Sequence, residues 1–266
     1  MRIGAIGFGN LASALLSGML KSGNFTADQL GVYDISAERM TLAQEQYKIS
    51  TYSTAEALVR ASDVVILSVK PQFYKDALSE IKDAAGGKLF ISVAAGISTR
   101  YITDILGDSN IHVIRSMPNT ALLIGQGATA ISKGANVADD EMSLAESIFG
   151  SCGVVKTIEE AQMNDIIAVN GSSPAYIFLF AKAVCSFAEK HGIDPDTAKE
   201  LIAQTLLGSA VMIRESGMEL SSLISMVTSK GGTTERALGV FNDNGFSELI
   251  EAAMQACSDR ADELGK

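Results

Sequence analysis

The first apolar run of the chain, Ile3 to Ile6, leads straight into Gly7-Phe8-Gly9-Asn10-Leu11-Ala12 and then into a stretch with helical spacing. A strand that ends in GxGxxA and opens a helix leaves few folds available, because each small residue has a separate task. Gly7 permits the tight turn, Gly9 lets backbone approach a pyrophosphate, and Ala12 allows close helix–strand packing. The unpaired N–H groups at the start of the helix then face the anion. A glycine pattern alone is weak evidence, but here four further apolar runs stand behind it. The expectation is a bound dinucleotide.

Those runs are Leu30–Tyr33, Val64–Ser68, Leu89–Val93 and Ile111–Ile114, short and without strict polar alternation. Strands buried on both faces have this composition, so a parallel sheet covered by helices is expected. Between them lie helix signals. Ser53 with Glu56 forms a capping box, Ser36 caps a helix through Arg39 and Met40, and Gly23 stands at a C-cap. Strand–helix–strand repetition predicts an α/β fold with a doubly wound sheet. After about residue 158 the strand signals stop. Ser173-Pro174 and Asp194-Pro195 each open a long helix, the first ending near His191-Gly192, and further helices follow Gly232 and Gly245. The division expected is a dinucleotide-binding domain over 1–158 and an all-helical domain over 159–266. The later helices are apolar around much of their circumference, with Ala203, Gly208, Ser209 and Ala210 allowing close backbone approach. Two chains interlocking there would bury those faces.

Composition narrows the function. With 21 Lys plus Arg against 31 Asp plus Glu, the formal charge is −10, and an acidic chain repels nucleic acid. The scattered cysteines (Cys152, Cys185, Cys257) suit reduced, mostly buried thiols in a cytoplasmic protein. With His112 and His191 alone there is no multi-histidine metal centre to build. His112 is expected in the core and His191 at a helix C-terminus, where it suits the dipole. The apolar N-terminus is interrupted by glycines and Asn10, unlike an export signal. No apolar run is expected to reach the length of about 18 residues that spans a membrane.

At the end of the second strand, Asp34 is placed to accept hydrogen bonds from a ribose 2′-hydroxyl, which favours NADH. Ser36 and Arg39, just beyond it, could instead hold the 2′-phosphate of NADPH. Both cofactors stay open.

Five further segments carry a resemblance. VKPQ (Val69–Gln72), SVAAGI (Ser92–Ile97), RSMPNTA (Arg115–Ala121), NGSSPAY (Asn170–Tyr176) and SKGGTTERAL (Ser229–Leu238) lie in the order found in pyrroline-5-carboxylate reductases, over nearly the whole chain. The resemblance implies a Rossmann domain followed by a helical dimerisation domain. It implies reduction of 1-pyrroline-5-carboxylate to L-proline by NADPH or NADH, in a homodimer or a larger ring of dimers. Matched motif by motif, Ile6, Gly7, Phe8, Gly9, Asn10 and Leu11 hold the pyrophosphate, and Val69, Lys70 and Pro71 line the cofactor cleft. Ala94, Ala95 and Asn119, with Met117 and Pro118, meet the nicotinamide end. Ser229, Gly231, Gly232, Thr233 and Thr234 form the substrate pocket, with the Thr234 hydroxyl towards the ring nitrogen. Three departures stand out: Lys230 in place of a proline, Ala121 in place of a proline, and Glu219-Leu220 in place of His-Pro.

The chemistry asks little else of the chain. An imine is easily protonated before binding, so the main work is orientation against the hydride donor. The segment Ser229–Thr234 precedes a helix, whose N–H groups and dipole suit the substrate carboxylate. Lys70 reads as a strand-end cation near the cofactor rather than a proton donor. Two other functions compete. β-Hydroxyacid dehydrogenases share the two-part plan, but the glycine pattern around their catalytic lysine is missing at Lys182. A non-catalytic dinucleotide sensor would have no need of the GGTT loop.

Overall fold

A computed structural model describes residues 1–265. They form two compact units, residues 1–174 joined by the end of the chain from Gln255, and Ala175–Met254.

The first unit is built, in chain order, from β1 (Ile3–Ile6), α1 (Asn10–Ser22), β2 (Leu30–Tyr33), α2 (Ala37–Tyr47), β3 (Ser50–Thr51), α3 (Ala55–Ala61), β4 (Val64–Leu67), α4 (Tyr74–Ile81), β5 (Leu89–Ser92), α5 (Thr99–Leu106), β6 (His112–Pro118), β7 (Gly127–Lys133), α6 (Asp139–Gly150) and β8 (Gly153–Thr157). The strands form one sheet in the order β3-β2-β1-β4-β5-β6-β7-β8. Every pairing is parallel except β6 with β7. In β1, β4 and β5 every residue is buried, as helices on both faces require. Two apolar clusters lie on the two sides of this sheet, one around Leu15, Leu16 and Phe149, the other around Leu58, Leu78 and Phe90. Chain order reverses on the two sides of β1: β2 lies on one side and β4 on the other, with Ile6 opposite both Tyr33 and Leu67. Such a switch point opens a crevice beyond the C-terminal ends of the strands.

The doubly wound sheet and its five parallel strands stand as expected; the differences are local. Strands β7 and β8 extend the sheet, and β6 runs on through Arg115 to Pro118. The cap of α3 is Thr54, not Ser53. Its extended backbone brings Oγ1 to 3.1 Å from the Ala57 N–H, while Glu56 pairs with Arg60 one turn on. His112 is half-buried at the start of β6 rather than in the core, with Nδ1 at 2.8 Å from the Glu141 carboxylate. Of the three cysteines only Cys152 is buried, and burial pushes its thiol up.

Two buried polar groups tie distant segments to the strand ends. The Tyr74 hydroxyl donates to the Leu67 carbonyl at 2.8 Å and lies 2.9 Å from Ser92 Oγ, joining the last residues of β4 and β5. Burial raises its pKa well above the ordinary phenol range. Arg115 is 3% exposed and donates to Asn164 Oδ1, and Asn164 passes the bond to Asp262 at 2.5 Å. Burial pulls the guanidinium's pKa down, and the carboxylates of Glu160 and Asp262 oppose it. Glu160 in turn accepts the Thr99 N–H and hydroxyl, both at 2.7 Å. The chain end is thereby keyed into the first unit, where Ala261 packs with Met117, Ala130 and Met163.

The second unit is helical: most of α7 (Ser173–Lys190), then α8 (Pro195–Glu215), α9 (Leu220–Met226), α10 (Thr233–Asp243) and the start of α11 (Phe246–Leu264). Asp194 caps α8 through the Thr197 N–H, with Pro195 at the first helical position, as its sequence predicts. Between residues 175 and 254 only Ala188 and Ala198 are buried. The helical stretch Ile167–Lys190, 24 residues long, holds an 18-residue window of mean hydropathy 1.2, which length and composition alone would let span a membrane. Asn170, Ser172, Ser173 and Lys182 interrupt it, so it contains no unbroken apolar run of that length, as the sequence predicts.

Tyr74→Phe should lower stability by about 0.5–1.5 kcal/mol, because the Leu67 carbonyl keeps only the longer 3.3 Å bond from the Val93 N–H and Ser92 Oγ loses a partner. Urea unfolding checks this; a shift in midpoint at unchanged slope is expected.

Candidate cofactor and substrate sites

The turn after β1 is held from both sides. Gly7 has φ +89°, and a Cβ there would stand 2.6 Å from the Ser68 carbonyl oxygen at the end of β4. Both conditions demand glycine, whatever binds. Gly9 differs. Its φ of −72° is open to any residue, and a Cβ there would meet nothing within 4 Å. Protein packing therefore gives no reason for glycine at this position. A ligand lying against the backbone at the start of α1 does give one, so the loop fits a dinucleotide pyrophosphate.

Asp34 secures the same turn. Its Oδ2 accepts the Phe8 N–H at 2.6 Å, and its Oδ1 accepts the Ser36 N–H at 2.8 Å. The Phe8 ring lies in the core, edge-on to Tyr47, so its part at the loop is played by backbone. Ile6, Gly7, Asp34 and Val69 line one cavity of about 250 Å³. Asn10 is exposed at the start of α1, its Oδ1 accepting from Arg39 Nη2 at 3.3 Å, and Leu11 is half-buried one residue on. Ser36 caps α2, its hydroxyl accepting the Arg39 N–H at 3.4 Å. Lys70 is exposed just past β4, and Pro71 opens a short 3₁₀ turn. Ala94 is buried and Ala95 half-buried beyond β5.

Asn119, beyond β6, has its side chain engaged within the protein. Its Oδ1 accepts the Ala128 N–H at 3.2 Å and its Nδ2 donates to Asn170 at 3.3 Å. Asn170 also donates to the carbonyls of Met117 and Ala128, at 2.7 and 3.0 Å. Sequence reading passed over this role for Asn170. An asparagine beside a glycine, just before a helix, resembles any turn.

Ser229, Gly231, Gly232, Thr233 and Thr234 belong to the second unit and form one compact turn. The Gly232 N–H donates to the Ser229 carbonyl at 2.9 Å, with Gly231 at φ +74° at the corner. Gly232 then starts α10, whose first N–H groups have no acceptor inside the helix. Thr234 stands half-buried in that first turn, and Ser229 and Thr233 are exposed. Glu235 reaches back to accept the Gly231 N–H at 2.7 Å. That brace was not legible beforehand, because a Glu in a first helical turn is common for dipole reasons alone.

Comparisons with known proteins match the two parts of the sequence to different family models. Residues 160–264 match the family model described as "Pyrroline-5-carboxylate reductase dimerisation", and residues 2–96 match "NADP oxidoreductase coenzyme F420-dependent". The pyrroline-5-carboxylate reductase of Haemophilus influenzae is 38% identical over 98% of this chain and 97% of its own length. The Escherichia coli enzyme is 33% identical, over 100% and 98%. The chain belongs to the pyrroline-5-carboxylate reductase family. Among solved structures, a Coxiella burnetii pyrroline-5-carboxylate reductase superposes with a TM-score of 0.92 at 35% identity, over 100% of this chain and 98% of that one. The Plasmodium falciparum pyrroline carboxylate reductase, solved with NADP bound, gives 0.91 at 27% identity with the same coverage.

The contrast between the two loop glycines is testable. Gly9→Ala should leave stability within about 0.5 kcal/mol of the parent, while titration calorimetry shows dinucleotide affinity reduced about tenfold or more. Gly7→Ala should instead lower the unfolding free energy itself, by at least about 1–2 kcal/mol for the left-handed strain alone.

Proposed function

We propose that this chain reduces 1-pyrroline-5-carboxylate to L-proline at the expense of NADH or NADPH. The observation that carries the reading is the pair of loops in one chain that matches its relatives over nearly their whole length: an open backbone at Gly9 and an intact Ser229–Thr234 turn at a helix start. A bound reduced nicotinamide supplies the hydride that the imine carbon takes up. The imine nitrogen arrives protonated and keeps that proton as it becomes the secondary amine of proline, so the balance closes with no strong acid from the protein. The protein's part is to hold the two reactants in line. The N–H groups of Thr233 and Thr234, with the Ser229 hydroxyl, take the substrate carboxylate. The Thr234 hydroxyl faces the ring nitrogen, and Glu235 keeps Gly231 in the corner that shapes the loop.

Cofactor binding falls to Ile6, Gly7, Phe8, Gly9, Asn10 and Leu11 at the pyrophosphate, with Asp34 and Ser36 at the ribose. Val69, Lys70 and Pro71 line the cleft, and Ala94, Ala95 and Asn119 stand at the nicotinamide end. We place the boundary between the cofactor half and the helical half at residues 158 and 159, although residues 159–174 and the chain from Gln255 pack with the first unit.

The working form is a homodimer formed through the helical half. Phe178, Leu179, Phe187, Leu201, Val240 and Leu249 are each more than 60% exposed. A helical unit with two buried alanines and such a surface lacks a core of its own, and a second copy supplies one. Sedimentation at micromolar concentration should show a dimer or a ring of dimers; a compact monomer would refute this.

Steady-state assays should show NAD(P)H oxidation with 1-pyrroline-5-carboxylate and none with hydroxy or keto acids. Thr234→Ala should reduce kcat about a hundredfold through misplacement of the ring, with dinucleotide affinity unchanged by calorimetry. Loss of dinucleotide affinity with kcat preserved would reverse the assignment of roles.

A further inference from the structure

Ala94 and Ala95 are followed by Gly96, whose backbone lies in the left-handed region at φ +79°. The far end of the chain requires glycine there. A Cβ on Gly96 would stand 2.6 Å from the Ala261 carbonyl oxygen and 3.1 Å from both the Gly265 nitrogen and Leu264 Cβ. The relation is reciprocal, since a Cβ on Gly265 would collide with the Gly96 carbonyl. The loop after β5 and the end of α11 thus meet backbone to backbone, with a glycine on each side. The contact lies within the first unit, to which the chain from Gln255 belongs.

The end of α11 is itself anchored. Asp262 accepts from Asn164 Nδ2 at 2.5 Å, and Asn164 accepts from the buried Arg115 guanidinium of β6. One turn earlier, the Ser258 hydroxyl donates to Asp165. Ala261, 2% exposed, packs with Met117, Ala130 and Met163, and Ala95 packs against the same cluster. The loop is also tied at both ends. Ser92 Oγ accepts the Ala94 N–H at 3.4 Å, and Glu160 holds Thr99 at the start of α5. Between those ties, Ala95 and Gly96 rest on α11. A glycine is where a loop changes its dihedral angles at least cost. Pressed against a fixed helix end, Gly96 loses that freedom.

We infer that the last turn of α11 positions the nicotinamide end of the site: Gly96, Ala261 and Asp262 are positioning residues that hold the Ala94–Ala95 backbone where the hydride donor meets the imine. The inference rests on the proposed reading of Ala94 and Ala95 as the nicotinamide end. The three residues act through the loop and not on the reactants. Loosening them therefore misplaces the transfer, for which an error of about 1 Å can cost about a hundredfold in rate. Dinucleotide affinity is left to the loop at Gly7–Leu11, which Asp34 secures separately.

The test separates chemistry from binding in the full chain. Enzyme saturated with NADH or NADPH is mixed with 1-pyrroline-5-carboxylate, and one turnover of nicotinamide oxidation is followed by absorbance. Gly96→Ala and Asp262→Ala should each slow that turnover about tenfold or more, with dinucleotide affinity unchanged by calorimetry. Asp262→Asn, whose amide oxygen still accepts from Asn164, should recover most of the rate. Phe149→Leu opens space in the buried cluster around Leu15 and Leu16 and controls for lost stability; it should keep the parental rate. A parental rate in Gly96→Ala, or in Asp262→Ala should the first variant not fold, overturns the inference alone. So does an equal slowing in Phe149→Leu, or a loss of dinucleotide affinity that matches the loss of rate. A parent that binds the dinucleotide and never oxidises it with the imine overturns the reading on which the inference rests.

Discussion

A turn that only glycine can make, pressed against the carbonyl of a neighbouring strand, sets the geometry of the first unit. Gly7 closes β1 with a positive φ and no room for a side chain beside Ser68. That contact fixes where α1 begins, and so where its free N–H groups point. Asp34 then secures the turn from β2, and Tyr74 secures the ends of β4 and β5 behind it. The crevice at the switch point is thus walled by strand ends held together by buried hydrogen bonds. Such groups are costly to leave unpaired, so the arrangement resists local rearrangement.

The two units handle hydrophobic surface in opposite ways. The first buries its apolar residues between sheet and helices and needs nothing further to complete a core. In the second, nearly every large apolar side chain keeps substantial exposure, and only small residues are covered. A fold of this kind places its stability in association, so concentration enters its free energy directly.

Much of this was legible in the sequence because it depended on local chemistry. Gly7 through Ala12, the Ser36 cap, the Asp194-Pro195 start and the short all-apolar strands announce themselves through spacing alone. What was not legible depended on partners far along the chain. Arg115 reads as the end of a strand, since a charged residue seldom lies in a core. Asn164, Glu160 and Asp262 let β6 continue through it. β7 mixes Gly127, Thr129 and Ser132 with small apolar residues, and its antiparallel pairing with β6 leaves no trace in composition. α9 is one short helix without a side-chain cap, so nothing marks its start. The sites divide in the same manner. The residue types of both loops were readable, but the brace from Glu235 and the bonds that occupy Asn119 required coordinates.

The return of the chain end to the first unit has a consequence for how the molecule comes into being. Cys257, Ser258, Ala261 and Asp262 settle against β6 and the segment after β8, bridged by Ser258 to Asp165 and Asp262 to Asn164. A ribosome releases these residues only after all of Ala175–Met254 has been made. Until then the patch formed by Met117, Ala130 and Met163 lacks Ala261, and Arg115 lacks the far end of its chain of partners. Contacts spanning so much sequence slow a folding reaction. The small cluster around Met117 and Ala130 is therefore completed last, once the final helix of the chain has been made.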